Sequence, residues 1–315
     1  MNPSPPDPHQ LAPVLVVGAT GTIGGATLAA LVARGVPVRV LVRRHQDGPA
    51  FTDVEQVVGD LADAGAVRDA LAGVFAACYV SPHADDEEQL AQTFVNACAN
   101  AGVRLVFVGV HVSGRTRRGR LSGVLMSGLF RAYRPKLRIG RLVEVTLPSA
   151  VLLVPTNFYD NDLLFADEIL AGSYPCPLRG MNRVAVADVG EVAARVLLRP
   201  DLPAGTYPVC GPQTLSGSQS AAVWADVLGR PVNYTGDDPE LWRAVAARRL
   251  PAGRKGTDYR ASFRLLGRLA QQTHPAAVAR TAELLGRSPL AYDDWVRAQV
   301  AGLIGRPGPS EVRSA

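Results

Sequence analysis

At 315 residues, with a net charge of +5, 47% hydrophobic and 19% charged residues, the chain has the composition of a globular protein, either one large domain or two joined ones. Its 31 Gly and 24 Pro read as turns rather than disorder, and the scattered Cys78, Cys98, Cys176 and Cys210, with no CxxC pair, read as reduced packing residues of a cytoplasmic protein. Neither a disulfide framework nor a metal site is expected. The charge-free stretch from His9 to Ala33 is broken by Pro13, Gly18, Gly21, Gly24 and Gly25 and follows no basic region, which excludes a signal peptide and a membrane span.

In chain order, "MNPSPPDPHQ" reads as a loose tail, and short apolar runs then alternate with amphipathic ones. Strands are expected at Val14 to Val17, Val36 to Val42, Val54 to Gly59, Phe75 to Val80, Arg104 to Val110 and Ala150 to Pro155. Helices are expected near Thr22 to Arg34, Ala64 to Ala72, Asp85 to Ala101 and Lys136 to Thr146. That alternation predicts an α/β fold, a doubly wound and mainly parallel Rossmann sheet. From Asn157 the alternation loosens. "NRVAVADVGEVAARVLLRP" reads as a strand and a helix with Asp188 at its positive end, "AGTYPVCGP" as a further strand, and "SGSQSAAVWADVLG" as a helix capped by Ser216 or Ser218. "RPGPSEVRSA" reads as a second loose tail. The expected organisation is a tail at 1–12, a nucleotide-binding domain at 13–156 to which 184–207 returns, a smaller and mostly helical substrate domain at 157–183 and 208–305, and a tail at 306–315.

The first strand ends in Gly18, followed by Ala19, Thr20, Gly21, Thr22, Ile23 and Gly24, a GxxGxxG pattern at a strand-to-helix turn. Gly18 permits the turn, Gly21 lets main chain approach a pyrophosphate, and Gly24 lets helix pack on strand. Phosphates would then meet unpaired N–H groups at the positive end of a helix. A dinucleotide site involving Gly18 to Gly24 is therefore expected. The second strand ends in Arg43 and Arg44, where an NAD-selective site carries an acid, so NADP (as NADPH) is the expected cofactor, its 2′-phosphate held by guanidinium groups. The alternative for both arginines is a solvated loop. Asp60, with Leu61 beside it, follows the third strand and is a candidate for the adenine amino group or a cap for the next helix. Ser81 and Pro82 follow the fourth strand, at the edge where ligands of parallel sheets lie, or form a plain turn.

Together, "VLVVGATGTIGG", "VRVLVRR", "VVGDLAD", "CYVSP", "LVPTNFYDN", "VAVADVGEVAARVLL" and "GPQTLSGSQSAAVWADVLGRPVNY" resemble the NmrA-like family of atypical short-chain dehydrogenase/reductases. The likeness runs from about Val14 to Asn233. It implies an NADP-binding Rossmann domain, a smaller substrate domain and a pocket between them. Members include quinone and azo-dye reductases and proteins that bind the cofactor only to sense it. The Tyr-x-x-x-Lys pair of typical short-chain dehydrogenases is absent, since Tyr133 and Lys136 are three apart. Registration on the family pattern puts Lys136 at its lysine, a candidate catalytic group or else a surface lysine. Gly140 stands where the family has glutamate, and Gly109 where relatives carry a serine. His111, with Ser113, is a second catalytic candidate, its alternative a structural role. The resemblance places Thr156, Asn157 and Phe158 beside the nicotinamide and Tyr159 and Asn161 in a substrate cavity, or all five in linker packing.

Between Gln89 and Val143 there is no acidic residue, and Arg115 to Arg141 holds nine Lys or Arg. This reads as a solvated face, with a gate for an acidic substrate or a macromolecular contact as alternatives. With only Phe130 and Tyr133 interleaved, nucleic acid is not the expected partner. A small-molecule substrate is, and a homodimer or protein partner stays open. The expected function is NADPH-dependent reduction of a small aromatic or conjugated carbonyl or quinone. The alternatives are a non-catalytic NADP-sensing regulator and, behind it, an isomerase or dehydratase.

Overall fold

Runs of Val, Leu and Ala too short for helices build the main sheet of the first unit in the computed structural model, which describes residues 12–113, 133–270 and 272–304. The expected tails, apart from residue 12, and most of the basic stretch lie outside the described residues. Strands β1 (Val14–Val17), β2 (Val38–Val42), β3 (Glu55–Val58), β4 (Ala76–Val80), β5 (Arg104–Val108), β6 (Val151–Pro155) and β10 (Gly205–Val209) pair in parallel, in the order β10-β6-β5-β4-β1-β2-β3. Val16 lies opposite Val40 on one side and Cys78 on the other. The chain winds outward from β1 to β3, then returns to β4 on the other flank of β1 and winds away again. Its direction therefore switches between β1 and β4, and ligands of open parallel sheets bind at the carboxyl ends of strands at such a switch.

Helices α1 (Thr22–Val32), α2 (Ala64–Leu71), α3 (Glu87–Ala101) and α4 (Arg134–Thr146) cross between the strands. α4 starts two residues before the expected Lys136 because Pro135 fits a first helical turn, where its missing N–H loses no bond. β5 ends at Val108 instead of Val110, Gly109 giving the last sheet bond, from its N–H to Leu153 O at 3.0 Å. Leu15, Val17, Tyr79, Phe94, Phe107, Ile139 and Leu152 fill the core on one face. After an excursion into the second unit the chain returns as α6 (Val186–Leu197), which packs on α1 so closely that a Cβ on Gly190 would lie 2.4 Å from the Ala26 carbonyl carbon. The first unit thus comprises 12–155, 186–209 and 279–287. Residues 279–287, which the sequence reading groups with the second domain, are tied here by Arg287, whose Nη2 meets buried Asp188 at 2.5 Å, and by Thr281, whose hydroxyl donates to Pro208 O at 3.3 Å.

The second unit holds 156–185, 210–278 and the described residues from 288 on. β7 (Asn157–Phe158) and β11 (Thr214–Leu215) flank β9 (Met181–Val184), and β8 (Ser173–Tyr174) pairs with β12 (Asn233–Tyr234). Around them stand α5 (Ala166–Leu170), α7 (Gly217–Leu228), α8 (Pro239–Arg249), α9 (Gly253–Leu266) and α11 (Tyr292–Ile304), while α10 (Pro275–Leu285) belongs to the first unit from residue 279. Ser216 is the cap of α7, in a reciprocal box with Gln219, as the sequence suggests. The core gathers Tyr159, Phe165, Tyr174, Trp224, Phe263 and Trp295 around a buried ion pair, Arg183 Nη1 to Asp162 Oδ1 at 2.6 Å. Asp162 also accepts from Tyr174 Oη at 2.9 Å and from Tyr292, while Arg183 donates to Ser220 Oγ at 3.0 Å and stacks 4.6 Å over the Tyr292 ring. The partners satisfy charges that would otherwise be costly to enclose.

Candidate active site at the sheet switch point

Gly18 ends β1 with φ +86°, a left-handed conformation that disfavours any Cβ. A Cβ on Gly24 would lie 2.1 Å from Gly18 O, so the first turn of α1 rests directly on the strand end. Gly21 is the N-cap and no side chain caps the helix; the first N–H bonded within it is that of Gly25, to Gly21 O at 2.7 Å. The first-turn amides of Thr22, Ile23 and Gly24 precede that bond, and no acidic residue occupies the turn. Thr20, Gly21 and Thr22 are exposed. A Cβ on Gly18 would also come 3.2 Å from Val80 O, so the turn lies against the end of β4, at the switch between β1 and β4. An uncapped helix start beside main chain bared by glycine fits a diphosphate in size and in charge.

Leu41 pairs with Val17, so β2 reaches its end beside the glycine turn. Arg43 and Arg44 follow, exposed, and neither guanidinium is in an ion pair among the described residues. Asp60 lies past β3, exposed, its Oδ1 accepting from Ala62 N–H at 2.8 Å. The cap of α2 is instead Asp63, which accepts from Gly65 N–H at 2.7 Å. Asp60 thus closes its own turn, and half-buried Leu61 packs against the core.

Past β4 the sequence reading missed one residue. Glu87, in the first turn of α3, is 1% exposed and forms an ion pair with Lys136 of α4. Lys136 Nζ also donates to Pro82 O at 2.8 Å and to Ser81 O and Oγ at 3.3 Å each, while Ser81 Oγ donates to Glu87 Oε2 at 3.2 Å. Ser81 and Pro82 are therefore more than a plain turn, and Lys136 is no free surface lysine. Its side chain is 13% exposed, on the strand end that touches the glycine turn. Only the fold gives Glu87 a partner, 49 positions away.

His111 has a fully buried side chain facing buried Glu144, Nε2 to Oε1 at 3.4 Å. Ser113 Oγ donates to the same oxygen at 2.5 Å, and Arg141 pairs with the other. No exposed atom of His111 offers itself to a substrate. The two departures from the family pattern have steric causes. A Cβ on Gly140 would lie 2.8 Å from His111 Nδ1 and from Val110 O, and one on Gly109 would lie 2.6 Å from the Phe107 ring.

In the second unit, half-buried Thr156 donates through Oγ1 to Asn182 Oδ1 at 3.0 Å. Asn182 also accepts from Gly211 N–H at 3.0 Å and donates to Gly211 O at 2.8 Å, which fixes the segment after β6. Asn157 and Phe158 are half-buried in β7, and Asn161 donates to Asn157 Oδ1 at 3.1 Å. Tyr159 is enclosed, its ring centroid 5.0 Å from that of Tyr292 and its hydroxyl donating to Leu290 O at 3.4 Å. It packs the core of this unit. The cavity of about 680 Å³ lined by Arg68, Leu71, Val74, Asn96 and Val103 opens at the amino ends of β4 and β5, away from the switch-point edge.

Residues 18–200 match a family model described as NAD(P)H-binding. The chain is 30% identical over 234 residues to an NAD(P)H azoreductase of Xenophilus azovorans, covering 70% of this chain and 76% of that protein. Its fold is similar to that of Citrobacter sp. triphenylmethane reductase complexed with NADP(H), with a TM-score of 0.72 at 19% identity over 91% of this chain and 99% of that one. It is similar also to that of NmrA, a negative transcriptional regulator, with a TM-score of 0.69 at 16% identity over 95% and 99% of the two chains. With more than half of its length inside the family model and a relative at this identity, the chain belongs to the NAD(P)H-binding family.

Proposed function

We propose that the protein is an NADPH-dependent reductase of a small aromatic or conjugated acceptor of the azo, quinone or enone type. The observation that carries this reading is the glycine turn, whose uncapped helix start lies against the end of β4 at the sheet's switch point. The cofactor, when bound, supplies the hydride. The amides of Thr22, Ile23 and Gly24 would hold its diphosphate, Arg43 and Arg44 its 2′-phosphate, and Asp60 and Leu61 would border the adenine. Ser81 and Pro82 would border the path toward the nicotinamide. Lys136 would donate to a ribose hydroxyl or to the acceptor heteroatom by exchanging one of its present hydrogen bonds. The burial of His111 against Glu144 favours a structural role for it. The azoreductase relative and the triphenylmethane reductase fold favour a flat, conjugated acceptor.

The test is loss of NADPH absorbance with azo dyes, quinones, triphenylmethane dyes and enones, with NADH in parallel. Turnover of at least one acceptor class with a preference for NADPH supports the reading. A non-catalytic regulator that senses NADP is the second reading, favoured by the absent Tyr-x-x-x-Lys pair and by likeness to the NmrA fold. Tight NADP binding without turnover of any acceptor would favour it. An isomerase or dehydratase would turn over substrate without net loss of NADPH.

A further inference from the structure

We infer that Glu87 is the positioning residue of the site, fixing the Lys136 ammonium beside the end of β4. This rests on the reductase reading and deepens it. Among its 33 basic residues the chain has two lysines, Lys136 and Lys255; every other is arginine. Lys255 is exposed on α9, whereas Lys136 stands among Glu87, Ser81 and Pro82. An ammonium directs three N–H bonds tetrahedrally, and a planar guanidinium cannot. The ammonium meets Glu87, donates to Pro82 O at 2.8 Å and reaches Ser81 O and Oγ at 3.3 Å each.

Glu87 is suited to the task. It is buried to 1% exposure, anchored in the first turn of α3, and takes a second bond from Ser81 Oγ at 3.2 Å. A carboxylate in contact with an ammonium holds it by charge as well as by a hydrogen bond, so Glu87 fixes the place of Lys136. Ser81 joins the carboxylate, the ammonium and the strand end in one ring of hydrogen bonds.

Two lysines make the test direct. The full chain is treated with an amine-acetylating reagent and modification is read at Lys136 and Lys255 by peptide mass spectrometry, with and without saturating NADP. In the wild type, Lys136 should react far more slowly than Lys255 and be further protected by NADP. Glu87→Gln, which removes the charge-assisted contact that holds the ammonium, should accelerate Lys136 about tenfold or more and leave Lys255 unchanged. In turnover with an acceptor, the same variant should lose roughly 10- to 100-fold in kcat with KM for NADPH within about twofold. Glu87→Asp keeps the charge, should fall between the two, and decides the matter if Glu87→Gln does not fold. Lys136 acetylation unchanged in both variants, or kcat unchanged in both, overturns the inference. If the wild type reduces no acceptor, the reductase reading fails, while the acetylation rates and their NADP protection still decide whether Glu87 fixes Lys136 at the cofactor.

Discussion

Gly24 sits so close to Gly18 that a Cβ there would lie 2.1 Å from the Gly18 carbonyl oxygen, and helix cannot meet strand in this way with any other residue. Gly24→Ala must push α1 off β1, an overpacking cost of about 1–3 kcal/mol. We expect a lower denaturation midpoint together with weakened NADPH binding. A midpoint and an affinity both equal to wild type would show that the turn does not depend on that contact.

Arg43 and Arg44 stand exposed beside the glycine turn. Charge-assisted hydrogen bonds to a phosphate are worth about 1.5–3 kcal/mol each, so Arg43→Ala with Arg44→Ala should weaken NADPH binding roughly 100-fold or more and NADH binding far less. Titration calorimetry with both cofactors reads the difference directly. Equal losses would remove phosphate selectivity from these two residues.

In the second unit, Asp162 is the sole carboxylate within ion-pair distance of the enclosed Arg183 among the described residues. Asp162→Asn leaves that guanidinium without its counter-charge, at a cost of about 3–5 kcal/mol. The loss should appear as an earlier unfolding transition followed through Trp224 and Trp295, both packed in this core. An unfolding curve superposed on wild type would mean that the aromatic cage, and not the charge, satisfies Arg183.

Glu191 of α6 is paired with Arg34, just past α1, and with Arg195 one turn on. Burial works against its ionised form, but the hydrogen bonds from Arg195 and Arg34, with their charge, prevail and hold the carboxyl below its usual range. A carboxylate depressed in the folded state contributes stability above its unfolded value and loses it as pH falls through the folded one. Glu191→Gln should therefore be less stable than wild type near neutral pH, and the gap should close on acidification from about pH 5 to pH 3. Denaturant melts across that range test it; a gap that widens in acid contradicts the sign.

What the sequence made legible were features written in neighbouring residues. The alternation of Val-rich runs with amphipathic segments carried the sheet, and the spacing of Gly18, Gly21 and Gly24 carried the turn. Errors fell at the ends, as where Pro135 let α4 begin earlier and where β5 left the sheet at Gly109. Asp60 is offered by the sequence as a cap because it precedes a helix, and only geometry assigns the cap to Asp63. Two relationships had no local signal. Nothing beside Glu87 or Asp162 in the chain marks its partner, and only the fold brings Lys136 and Arg183 to them. Gly109 and Gly140 depart from the family's serine and glutamate, and Phe107 and His111 fill the space that a side chain would need there.

The first unit closes only when α6, β10 and residues 279–287 join its first 155 residues. During synthesis, therefore, the glycine turn emerges from the ribosome long before the helix that braces α1 and the strand that covers β6. A nascent chain stalled near Pro155 would display the bare edge of β6 and the small-residue face of α1 to whatever surrounds it. Holding the nascent turn in a binding-competent form thus falls to segments translated last, and chaperone demand should peak in that interval.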